Sequence, residues 1–142
     1  MEIKVLGICG SPIKGGNTQV FLEAAMKASE EAGGVKTEML HLAGKNIRDC
    51  RHCNWCMIRQ EEGKFCNVQD DMIELYPKLI ESDAIMIATP VYMTRPTGYL
   101  SCFLDRWRCI GHGKYYQQMF ENKIGGALAV AWYRHQGMET AL

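Results

Sequence analysis

Four cysteines fall within seventeen residues: Cys50, Cys53, Cys56 and Cys66, in the pattern C-x2-C-x2-C-x9-C. Two successive two-residue gaps let three thiolates converge on one centre, and a fourth ligand then follows, as in bacterial ferredoxin runs. Those runs place proline after the fourth cysteine and send it to a second cluster. Here Asn67 follows and no second motif exists, so the spacing assigns all four thiols to a single [4Fe–4S] centre. The surrounding charge agrees. Lys45, Arg48, Arg51, Arg59, Lys64 and His52 stand against Asp49, Glu61 and Glu62, and cations favour a cluster that carries net negative charge with its thiolates. A closed tetrahedral zinc site is the metal alternative, although such sites usually separate two cysteine pairs. Cys9, Cys102 and Cys109 read as buried or incidental.

A second stretch with chemical potential is GSPIKGGNT, residues 10 to 18. It lies between an apolar run and a helical pattern, where an open α/β sheet binds its ligands. The N-terminus of the following helix offers unpaired N–H groups and positive partial charge to a phosphate. Ser11 and Thr18 add hydroxyls, Asn17 an amide and Lys14 a cation, while Gly15 and Gly16 allow close backbone approach. The loop lacks both the GxGxxG of dinucleotide sites and the GK[ST] of nucleotide triphosphatases. What remains is a single terminal phosphate, as on a mononucleotide. A third stretch, TPVYM, places Pro90, Val91, Tyr92 and Met93 at the exit of a later apolar run. An apolar and aromatic lining with backbone N–H groups suits a planar ring with a polar edge.

The elements that position these stretches follow from periodicity. Ile3 to Ile8 and Ala84 to Ala88 are short apolar runs, expected of strands buried on both faces. Val35 to Leu42 alternates, as a strand nearer a sheet edge does. Ile124 to Trp132 supplies a fourth strand. Between them, Val20, Phe21, Ala24, Ala25 and Ala28 predict the apolar face of one helix. Asp70-Asp71 opens a second helix with Met72, Leu75, Tyr76, Leu79 and Ile80 on its inner face and a kink expected at Pro77. Leu100, Phe103, Leu104 and Trp107 mark a third, in which Asp105 and Arg106 order structure. This alternation predicts a flavodoxin-like doubly wound parallel α/β sheet. It is one domain over residues 1–142, with a cysteine-rich insert at about 45–69. A five-stranded sheet of that type needs a further strand and helix, so the edge of the fourth strand is expected to be covered by more chain or by a partner subunit.

Composition narrows the function. Sixteen basic residues balance sixteen acidic ones, which leaves no electrostatic footprint for nucleic acid. No apolar run is long enough to span a bilayer. The start, MEIKVLGICGS, runs directly into a strand and is not a signal peptide. Seven cysteines without an export signal point to a reducing cytoplasm.

Taken together, GSPIKGGNT, TPVYMTRPTG and LSCFLDR resemble the flavodoxin-like NAD(P)H-dependent FMN reductases. With the cysteine insert before DDM, the chain resembles more specifically the iron–sulfur flavoproteins of anaerobic archaea and bacteria. The resemblance covers nearly the whole chain. It implies that Ser11, Lys14, Asn17 and Thr18 hold the phosphate of FMN and that Pro90, Val91, Tyr92 and Met93 lie along its ring. A third loop, AWYRHQGMET, departs from the Gly-rich sequence of such relatives, so Trp132, Tyr133, Arg134 and His135 are not assigned to the flavin. The implied activity couples a one-electron donor such as ferredoxin to a two-electron acceptor; a cluster-free NAD(P)H-dependent FMN or quinone reductase is the alternative. The implied assembly is a homo-oligomer, dimer or tetramer, in which one subunit's cluster approaches another's FMN.

Overall fold

The computed structural model describes residues 2–133 and 137–141. Four strands, β1 (Ile3–Cys9), β2 (Val35–His41), β3 (Ala84–Pro90) and β4 (Ile124–Val130), form one sheet in the order β2-β1-β3-β4. All three pairings are parallel. The helices are α1 (Asn17–Glu31), α2 (Trp55–Ile58), α3 (Tyr76–Glu81), α4 (Gly98–Asp105), α5 (Arg108–Gly111) and α6 (Met138–Ala141). This is the doubly wound α/β fold that the sequence predicts, and its topological switch lies between β1 and β3.

Burial explains the strands. Val5 to Cys9 is buried throughout, as befits a central parallel strand with both faces covered, whereas β2 alternates and sits at the edge. One face carries the larger core: Leu6, Ile8 and Ile85 pack with Met72, Leu75, Tyr76, Leu79, Leu100, Phe103 and Ile110. On the other face, Cys9 and Ala88 meet Leu22 and Met26 of α1. The outer part of β4, Ile124 to Ala127, is exposed.

The inner face of α1 differs from the predicted one. Thr18, Leu22 and Met26 are buried, while Val20 and Phe21 are each 55% exposed and Ala24 and Ala28 face solvent. Gly7 supplies the reason, because a side chain there would collide with the Met26 thioether. The bare backbone of β1 is shaped to receive the long side chains of α1, and alanines would leave that space unfilled.

The second predicted helix is broken rather than kinked. Asp71–Glu74 forms a 3-10 turn and α3 starts afresh at Tyr76, with Pro77 in its first turn. Proline lacks an N–H and is tolerated only where that donor has no helical partner. The predicted inner face survives the break: Met72, Leu75, Tyr76 and Leu79 are all buried. The third predicted helix is likewise divided, into α4 and α5, with Trp107 at the junction. Strand β4 ends at Val130, and Trp132 is fully exposed.

Candidate functional site

The first loop leaves the carboxyl end of β1 and delivers the N-terminus of α1. Its cap, Gly16, has no side chain to close the helix, and no acid stands in the first turn. The first helical hydrogen bond is Val20 N–H to the Gly16 carbonyl at 3.1 Å, so the N–H groups of Asn17, Thr18 and Gln19 precede the ladder. Ser11 is buried, and its hydroxyl accepts the Ile13 N–H at 3.1 Å, which shapes the loop. Thr18 is buried, whereas Lys14 and Asn17 are exposed.

His41, at the end of β2, joins this loop from the side. Its Nδ1 accepts the Ala43 N–H at 3.1 Å, so Nε2 carries the proton in the neutral ring. Among the described residues that buried Nε2–H has no partner. Burial, together with the nearby Lys14 cation, holds the imidazole pKa below its ordinary value.

The second loop is joined to the first by Thr97. This buried residue caps α4, accepting the Leu100 N–H at 3.2 Å, and donates its hydroxyl to the Gly10 carbonyl at 2.6 Å. Val91 is held to β4 by its N–H on the Val130 carbonyl at 2.9 Å. Tyr92 and Arg95 then exchange backbone hydrogen bonds around Met93 and Thr94, which both take positive φ, 48° and 64°. Two non-glycine residues in that region cost backbone strain and mark a place where the surroundings fix the turn. Met93 stands at its tip, 87% exposed. Between the loops lies a mainly apolar cleft of about 480 Å³, walled by Pro12, Ile47, Tyr92, Thr97, Tyr99 and Cys102. Of the predicted ring contacts only Tyr92 lines it. Trp132 and Tyr133 are exposed; Arg134 and His135 lie outside the described residues.

The cysteine insert begins at the rim of this cleft, at Ile47, and folds into a lobe against α5. His52 and Asn54 take positive φ, 52° and 57°, on either side of Cys53. The Arg108 guanidinium fixes this bend by donating to Asn54 Oδ1 at 2.7 Å. Gln60 anchors the wide gap between Cys56 and Cys66. Its Nε2 donates to the Phe65 and Cys109 carbonyls, both at 2.8 Å, and its Oε1 accepts the Tyr115 and Tyr116 N–H groups at 3.0 and 3.1 Å. Phe65 adds ring contacts with Tyr76 and Tyr116. The end of the lobe is fixed by Arg106, whose side chain is 1% exposed and pairs with the fully buried Asp70 carboxylate at 2.6 Å.

Within the lobe the four thiols are neighbours without being gathered round a point. Among the described residues no three His, Cys, Asp or Glu side chains stand close enough to hold a metal ion. The Cys56 pKa is raised by burial, then by the charge of Cys66, with smaller effects from Cys50 and Cys53. Cys66 is the opposite. A hydrogen bond from Cys109, and further help from the Val68 N–H and Arg106, outweigh burial and bring its pKa down to about 5. Cys109, read from the sequence as buried or incidental, is buried and in contact with Cys66; its own pKa is raised, chiefly by that hydrogen bond and then by burial.

Comparison with known proteins now decides the family. The family described as NADPH-dependent FMN reductase matches residues 3–142. The chain belongs to that family. An iron–sulfur flavoprotein of Methanocaldococcus jannaschii is 39% identical over 140 residues, 99% of this chain and 68% of the relative. One from Methanosarcina thermophila is 31% identical over 99% of this chain and 69% of its own length. Among solved structures, the NAD(P)H:quinone oxidoreductase of Methanothermobacter marburgensis superposes with a TM-score of 0.70 at 19% identity, over 99% of this chain and 72% of that one. RosB with a bound riboflavin-phosphate derivative gives 0.70 at 20%, over 91% and 52%. These structural likenesses establish the flavodoxin-like fold. The chain spans about two-thirds of the length of the curated relatives and about half of RosB.

Within this FMN reductase family frame, the local chemistry suits a flavin mononucleotide. The uncapped α1 N-terminus opens the phosphate loop, His41 lies beside Ile13 and Lys14 of that loop, and an open apolar cleft lined by Pro12 adjoins it. The lobe gathers four free thiols, the ligand type an iron–sulfur cluster takes, in one segment, although among the described residues no three of them stand close enough to hold a metal ion. Sequence reasoning passed over Thr97, His41 and Gln60. Only Thr97 carried a local signal, as a threonine directly before a helix start.

Proposed function

We propose that this chain is an electron-transferring flavin oxidoreductase, with FMN across the first two loops and one [4Fe–4S] cluster in the cysteine lobe. The observation that carries the reading is a juxtaposition. Pro12 of the first loop and Tyr92 of the second line one apolar cleft, the Thr97–Gly10 hydrogen bond ties the two loops together, and Ile47, where the cysteine insert starts, lines the same cleft. When bound, FMN accepts or gives one or two electrons, while the cluster passes one at a time.

The chain's residues bind and orient. The N–H groups at the start of α1, with Ser11, Asn17 and Thr18 about them and Lys14 at the exposed loop tip, hold the phosphate. The loop of Pro90, Val91, Tyr92 and Met93 runs along the ring, with Tyr92 as its one residue lining the cleft. Cys50, Cys53, Cys56 and Cys66 hold the cluster. Ferredoxin-like or NAD(P)H donors both fit this arrangement. The names of the iron–sulfur flavoprotein relatives support the cluster, and the family description supports a nicotinamide donor. A homodimer or tetramer is the assembly this reading expects, and Tyr92 and Tyr99, both exposed on one cleft, offer apolar area to a partner subunit. No helix among the described residues is long and apolar enough to cross a membrane, and a thiol-rich lobe suits the reducing cytoplasm.

A reductive titration of the anaerobic holoprotein with a one-electron reductant tests the reading. Three electron equivalents per chain are expected, two for the flavin and one for the cluster. Two equivalents would leave a cluster-free flavin reductase, and the proposal would fail.

A further inference from the structure

The segment that follows β4 reaches back to the second loop. Thr140, on α6, donates its hydroxyl to the Thr94 carbonyl at 2.6 Å, with the Gly137 carbonyl 3.0 Å away as a second acceptor. Gly137 is buried at φ 82°, and a Cβ there would come within 2.4 Å of Thr94 Cα and 2.8 Å of its carbonyl oxygen. No side chain fits at that distance, and the positive φ suits glycine besides. The Ala141 N–H bonds the Gly137 carbonyl at 3.0 Å, which holds the glycine and the threonine in one short turn of helix.

The turn that they grip does not favour its own shape. Tyr92 and Arg95 close it with backbone bonds at 3.0 and 3.2 Å, and both central residues, Met93 and Thr94, take positive φ. Asparagine and glycine normally fill two-residue turns with that requirement, and a β-branched residue such as Thr94 suits it poorly. The Thr94 hydroxyl bonds the Met93 carbonyl at 2.6 Å, a contact inside the turn. Strained backbone persists only where the surroundings fix it, and Gly137 and Thr140 press on Thr94 from outside. At the other end of the turn, Tyr92 lines the apolar cleft.

We propose that Gly137 and Thr140 are positioning residues that hold the strained Tyr92–Arg95 turn, and so preset the Tyr92 wall of the cleft for a planar ring. The inference rests on the flavin reading above. It gives the segment after β4 a role that works through the second loop and needs no contact of its own with the flavin.

The test compares Thr140→Val, which keeps the shape and removes the hydroxyl, with Thr140→Ser, which keeps the hydroxyl, both in the full chain. Amide exchange read residue by residue by NMR should be about fivefold faster at Tyr92 and Arg95 in Thr140→Val, the effect of one lost hydrogen bond. Val91, whose N–H is held by the Val130 carbonyl of β4, should exchange as in wild type. Thr140→Ser should keep all three amides at the wild-type rate. FMN and riboflavin, titrated into the same proteins, should both bind Thr140→Val about fivefold more weakly, because the second loop serves the ring and not the phosphate. Wild-type exchange at Tyr92 and Arg95 in Thr140→Val, or wild-type affinity for both flavins, would overturn the inference. So would a loss confined to FMN, which would place the effect at the phosphate, or equal acceleration at Val91, which would show a general loosening. A wild-type chain that binds neither flavin would overturn the flavin reading first, and the preset wall with it.

Discussion

The Thr97 hydroxyl donates to the Gly10 carbonyl at 2.6 Å across 87 residues of sequence, and so ties the end of β1 to the start of α4. Gly10 has no room to change: a Cβ there would lie 2.9 Å from Leu100 Cβ and 3.2 Å from the Ala88 carbonyl. One hydroxyl therefore caps a helix and fixes the spacing between the two loops that the flavin would bridge. Thr97→Ala should cost about 1–2 kcal/mol of stability and weaken FMN binding about tenfold. Thr97→Ser should recover most of both. Urea unfolding and flavin fluorescence titration check the two effects separately.

Asp70 predicts an acid limit. Burial works against its charge, but Arg106 and the Arg48 and Met72 N–H groups overcome this and hold its pKa below the usual value. A carboxylate depressed in the folded state stabilises fully above its unfolded pKa of about 3.9. That stability is lost as pH falls through the lower, folded value. Unfolding followed from pH 7 to below pH 3 should show the loss beginning near pH 4. Asp70→Asn should be about 3 kcal/mol less stable at pH 7, because it leaves Arg106 buried without its counter-ion, and its acid limb should be flatter.

Gln60 makes a separable prediction for the cysteine lobe. Its amide satisfies two carbonyls and two N–H groups, and Gln60→Leu would strand all four in a buried setting. The expected cost is about 3 kcal/mol, concentrated in residues 57 to 65 rather than in the sheet. Limited proteolysis should cut that segment at least tenfold faster while β1 and β3 stay protected. Gly113→Ala should act alike, since a Cβ there would collide with the Cys109 carbonyl and the Gln60 side chain.

His41 bears on the phosphate loop. With its lowered pKa it stays neutral near pH 7 and offers Nε2–H as a donor without net charge. His41→Phe, which removes both the Nε2–H donor and the Nδ1 acceptor of the Ala43 N–H, should weaken FMN binding about five- to tenfold. Riboflavin, which lacks the phosphate, should bind the variant and the wild type equally. Parallel titrations with the two flavins separate a phosphate effect from a general loosening of the loop.

Much of this architecture was legible in the sequence. The apolar run of β1, the glycine loop after it and the alternation of β2 each report a local cause, and all stand where predicted. The inner face of α1 did not follow, because apolar character alone cannot distinguish Val20 and Phe21 from Leu22 and Met26. What decides is the absence of a side chain at Gly7, on a different element. The break before Pro77 was half visible: proline signalled a disturbance, but not that the helix would restart around it. Gln60 carried no signal, since its role depends on contacts between segments 49 residues apart. Arg106 was visible as a charge within an apolar helix, read as ordering structure, which it does through the buried Asp70.

The central proposal is that one chain binds both a flavin and an iron–sulfur cluster. Its most direct test is iron, acid-labile sulfide, zinc and flavin measured on one anaerobically purified and reconstituted sample. The account predicts iron and sulfide in equal amounts, about four of each per chain, together with one FMN. Zinc in place of iron and sulfide, or a colourless protein that takes up no flavin, would contradict it.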